Sequence, residues 1–64
     1  MIDYKFIDEQ IKKAREKHPE FQGIRCVMRE VADLIKAEET GDAEDVKRQA
    51  LHVAITAIRL YNGE

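Results

Sequence analysis

Apolar side chains recur along this chain at three- and four-residue steps, the spacing that lines one face of an α-helix. Tyr4, Ile7, Ile11, Ala14 and His18 form a first, narrow stripe. Asp3 precedes it as a good N-cap, which predicts a helix over about residues 4–17. Ile24, Val27, Met28, Val31, Leu34 and Ile35 make a second, stronger stripe. Pro19 suits the first turn of that helix, and Gly41 is its natural stop, so the prediction is about 20–40, firmest from Ile24 onward. Asp42 then caps a third helix over about 43–61, with Asp45 in a capping-box-like position and Asn62-Gly63 as the end. So short a connection makes the second and third helices antiparallel neighbours.

The third helix is apolar on two sides. Val46, Ala50, Val53, Ala57 and Leu60 read as a core stripe, while Leu51, Ile55 and Ile58 lie more than a quarter-turn away. One side can meet the second helix. The other asks for further cover, which the narrow first stripe supplies only in part, so self-association into a dimeric or tetrameric helical bundle is the expected completion. The fold class predicted is thus all-α: a single domain over 1–64, three helices with an antiparallel hairpin, assembling into an oligomeric bundle. A core from 64 residues is marginal alone, and the only cysteine, Cys26, rules out an intrachain disulfide. In an apolar run Cys26 reads as a small buried hydrophobe and fits a reducing cytoplasm.

Composition narrows the function classes. With 44% apolar residues the chain is too hydrophobic for a disordered tail. A net charge of −2 argues against binding a nucleic-acid duplex through its phosphates. No apolar run approaches the length of a membrane span, and the Met-Ile-Asp-Tyr-Lys start lacks a signal peptide's apolar stretch, so no membrane partner is expected. Lys5, Lys12, Lys13, Arg15 and Lys17 enrich the first helix in positive charge, but Asp8, Glu9 and Glu16 interleave with them, as on a solvated face.

Polar residues interrupt the apolar surfaces in a pattern. Glu30 and Asp33 are three apart and project from one side of the second helix. Gln49, His52, Thr56 and Arg59 run as a polar line between the two apolar strips of the third. Across an antiparallel hairpin the two sets can face each other.

The segment from Val27 to Asp42, VMREVADLIKAEETGD, resembles the first catalytic helix of MazG-like nucleotide pyrophosphohydrolases, in particular the short phage-type members. Their mark is an E-x-x-E pair before a short loop. The stretch from Val46 to Arg59, VKRQALHVAITAIR, is similar to the family's next helix, where E-x-x-D or E-x-x-Q precedes small residues and often an arginine. The resemblance covers about residues 24–61 without gaps. It implies an all-α dimer or tetramer that binds Mg²⁺, or Mn²⁺, and splits a nucleoside triphosphate into monophosphate and pyrophosphate. By position it makes Glu30 and Asp33 the catalytic pair. It implies Glu30, Asp33, Gln49 and His52 as metal ligands, and Arg59 or the first-helix lysines as phosphate donors. Mg²⁺ takes hard oxygen ligands and bridges carboxylates to phosphates, which is the chemistry such a site needs. Gln49 and His52 depart from the family's acidic positions, and imidazole suits Zn, Ni, Fe or Cu better than Mg²⁺. Glu38 or Glu39 can lend another oxygen, although Glu38 falls near the centre of the apolar stripe.

Three functions are carried forward: the metal-dependent pyrophosphohydrolase, a non-catalytic protein that binds or sequesters a nucleotide or nucleotide-derived signal, and a helical module docking on another protein through Leu51, Ile55 and Ile58.

Overall fold

The computed structural model describes residues 3–64; Met1 and Ile2, the first two positions of the expected domain, lie outside them. The described chain is all-helical, with α1 over Tyr4–Lys17, α2 over Ile24–Thr40 and α3 over Ala43–Tyr61. Each boundary has a local cause. Asp3 accepts the Lys5 N–H at 3.1 Å and caps α1. Gly41, at φ 75°, ends α2 in the left-handed conformation and donates to the carbonyls of Ala37 and Glu38 at 3.2 Å. Asp42 accepts from the backbone of Glu44 and Asp45 at 3.0 and 3.2 Å. The capping box is not reciprocal, because the Asp45 carboxylate turns instead to Arg48 at 3.1 Å and Gln49 at 3.4 Å.

One boundary differs from expectation. Helix α2 starts at Ile24 rather than near residue 20, and 18–23 is a non-helical connector. Gly23 sits at φ 62°, ψ −128°, a conformation that breaks a helix and is open to glycine. Upstream, the residue before a proline is driven out of the α region, and His18 sits at φ −132°.

Helices α2 and α3 pack as a hairpin across Gly41-Asp42, the start of α2 (Gly23) lying beside Leu60 at the end of α3. Helix α1 packs on α3 alone. Ile7 and Ile11 of α1 close with Ile55 into the core, and Ala14, Leu51 and Ile58 pack against it. The strip expected to wait for a partner is therefore covered from within the chain.

The open apolar surface lies elsewhere. The second stripe divides: Val27 and Leu34 turn inward beside the buried Ala37, while Ile24, Met28, Val31 and Ile35 stay 37–64% exposed. At about 100° per residue, those four point roughly a third of a turn away from the α3-facing side. On α3 the supposed core stripe is also partly open, with Ala50, Ala57 and Leu60 exposed. No described helix is long and apolar enough to cross a membrane.

Candidate functional site

Because α1 and α2 both lean on α3 without meeting, a cleft of about 500 Å³ opens between them. Its floor is α3, with Leu51 and Ile55 apolar and His52, Thr56 and Arg59 polar. Lys13 and Lys17 stand on the α1 wall, and Arg29 and Glu30 on the α2 wall. The 18–23 connector closes one end with His18, Glu20 and Phe21. Lys13, Lys17 and Arg29 are exposed and have no ion-pair partner among the described residues. Cys26 also borders the cleft, half-buried, its Sγ accepting the Gln22 N–H at 3.4 Å.

The structure joins some of the expected site residues and separates others. Glu30 Oε2 lies 3.5 Å from His52 Nδ1, so the α2 and α3 polar sets do meet across the hairpin. Asp33 is exposed and does not line the cleft. Gln49 is half-buried outside it and donates to Asp45. Glu38 and Glu39 border a separate depression beside Ile35 and play no part here. Among the described residues no three His, Cys, Asp or Glu side chains are grouped to hold a metal ion. The four ligands implied by the resemblance are thus not assembled among the described residues of one chain.

Arg59 does more than its position in the sequence suggested. It is 3% exposed, the one buried charged residue described. Its Nε donates to Glu64 Oε1 at 2.9 Å and its Nη2 to the His18 carbonyl at 3.2 Å. The guanidinium lies over the Phe21 ring, 4.7 Å from the centroid. Arg59 therefore ties α3 to the connector and to the Glu64 carboxylate, which in turn binds Arg15 of α1. Sequence reading missed Arg15, Phe21, Arg29 and Glu64 as partners in this region. Phe21 carried a signal, as an aromatic in a polar connector; Glu64 carried none, because its contact with Arg15 spans 49 residues.

Comparison with family models, characterised proteins and solved structures finds no match to this chain.

Proposed function

We propose that this chain binds a nucleotide or nucleotide-derived anion in the cleft between α1 and α2. The observation that carries the reading is the charge of that cleft. Lys13, Lys17 and Arg29 come to it without ion-pair partners among the described residues, and Arg59 joins them from α3 already paired with Glu64, against Glu20 and Glu30 among the described lining residues, on a chain whose net charge is −2. Cations converging over an apolar floor suit a ligand with both phosphates and a flat, largely apolar body. The MazG-like resemblance of the hairpin leans the same way.

Hydrolysis of that nucleotide is the second reading, favoured by one observation: Glu30 and His52 meet at the cleft. A carboxylate beside an imidazole, here 3.5 Å away, is a pairing suited to moving a proton to or from water once the two close to hydrogen-bond distance. In the resemblance's terms the reaction is a divalent-metal-dependent release of pyrophosphate from a nucleoside triphosphate. Both readings are tested by adding nucleoside and deoxynucleoside triphosphates, with and without Mg²⁺ or Mn²⁺, and following thermal stabilisation and pyrophosphate release. Binding is expected to weaken about tenfold in Lys17→Ala and in Arg29→Ala, the loss of one charged hydrogen bond each. Equal affinity in both variants and the wild type would overturn the cleft as the site. Pyrophosphate release abolished by Glu30→Gln supports hydrolysis, and binding without release leaves a carrier or sequestering protein.

We also propose that two copies pair through the open hairpin face. A compact monomer of 7.4 kDa exposes about 4,200 Å² by the usual size scaling. This chain exposes 5220 Å². The excess of roughly 1,000 Å² is shared between the walls of the cleft and the open hairpin face, and is of the order of the ~800 Å² that each partner contributes to a standard interface. Ile24, Met28, Val31 and Ile35 supply an apolar centre for it, and sedimentation equilibrium reads the state directly.

A further inference from the structure

We propose that Arg15 and Arg59 form an anion-binding pair whose resting occupant is the chain's own Glu64, a carboxylate that a phosphate-bearing ligand displaces. The inference rests on the reading of the cleft as an anion site and adds its regulation.

The geometry is that of a bound ligand. Glu64 Oε2 takes two hydrogen bonds from one arginine, Arg15 Nε at 2.9 Å and Nη2 at 2.6 Å. Its other oxygen takes Arg59 Nε at 2.9 Å. Two guanidinium groups from different helices thus divide the two oxygens of one carboxylate, an arrangement two phosphate oxygens reproduce. Arg59 does not depend on Glu64 for its orientation. The His18 carbonyl and the Phe21 ring hold it as well, so the donor stays aimed when the carboxylate leaves.

Glu64 is easily released. It follows Gly63, a turn at φ 82°, and its own N–H bonds the Arg59 carbonyl at 3.1 Å. Turning of the Glu64 side chain, with that backbone bond kept, is the motion that would vacate the pair. Arg59 lines the cleft whereas Arg15 and Glu64 lie just beyond its lining, so an anion seated among Lys13, Lys17 and Arg29 reaches the vacated pair through Arg59. Hydrogen bonding from Arg15 holds the Glu64 carboxyl below its ordinary range, against the opposing effect of burial, with Arg59 adding to the lowering. The competitor is therefore ionised at neutral pH.

The test titrates inorganic pyrophosphate into the full chain by calorimetry at neutral pH. Glu64→Gln, which keeps the shape and removes the charge, is expected to bind about five- to tenfold tighter than the wild type. Adding Arg15→Ala to that variant is expected to remove the gain. Unchanged or weaker binding in Glu64→Gln overturns the proposal. A measurement on the wild type stands beside it, following the Arg15 and Arg59 Nε–H signals and the Glu64 carboxyl by NMR. Saturating pyrophosphate is expected to shift both arginine signals and return the Glu64 carboxyl to ordinary titration. If Glu64 remains low while signals of Lys17 and Arg29 move, the displacement is wrong and the cleft reading survives. If nothing moves, both fall.

Discussion

A carboxylate shared by two arginines has a clear consequence for stability against pH. The Glu64 carboxyl is lowered in the folded chain, chiefly by its hydrogen bonds from Arg15. A group whose folded value lies below its unfolded one stabilises the fold fully above the unfolded value and loses that contribution as pH falls through the folded one. The difference in melting temperature between the wild type and Glu64→Gln is therefore expected to be constant at neutral and mildly acidic pH. It should shrink to nothing below the carboxylate range. A gap that persists at low pH would show that packing, not charge, distinguishes the two side chains. Arg59 sharpens the same point. An arginine at the end of a polar line reads as a phosphate donor, yet its fork is engaged with a carboxylate, a carbonyl and an aromatic face. Lysine offers neither the fork nor the flat face, so it is no conservative replacement here.

Helix ends were the most legible feature of the sequence, because caps are local chemistry. Asp3, Gly41 and Asp42 do what their residue types dictate. Asp42→Ala is expected to cost about 1 kcal/mol in chemical denaturation, since two N–H groups lose their acceptor. Gly41→Ala should cost a similar amount, ~1 kcal/mol, by backbone strain alone, for the space around a new Cβ is empty. An Asp42→Ser variant restoring most of the loss would confirm the cap. The assignment of apolar faces was not legible in the same way. Periodicity marks which side chains share a face but not which neighbour covers it. Leu51, Ile55 and Ile58 had the look of an interface until α1 supplied Ile7 and Ile11 against them. The six-residue stripe of α2 looked like one core face, and the hairpin splits it between Val27 and Leu34 inside and Met28 and Ile35 outside. The candidate site was half legible. Glu30 opposite His52 follows from spacing and antiparallel pairing. The cleft does not, because it exists only where α1 comes to rest, and that is fixed by contacts distant in sequence.

Taken together, these placements put the two unusual surfaces of the chain on different sides of α2. Glu30 points into the cleft, whereas Met28 and Ile35 point nearly half a turn away, into the open face. Pairing through that face therefore leaves the anion cleft accessible in each copy. Substituting Met28→Glu together with Ile35→Glu buries like charges at the proposed interface, yet in one chain these side chains are already 64% and 54% exposed. The expected result is a species that sediments at 7.4 kDa at every concentration, with its helical circular dichroism kept and its pyrophosphate affinity unchanged. Ile55→Ala gives the contrast. Ile55 is 5% exposed in the core, so its truncation should cost roughly 3 kcal/mol within each chain. A wild-type chain already monomeric at high concentration would remove the second copy as occupant of the face. An affinity lost together with the dimer would instead place part of the anion site on the partner, and the separation of the two surfaces around α2 argues against that outcome.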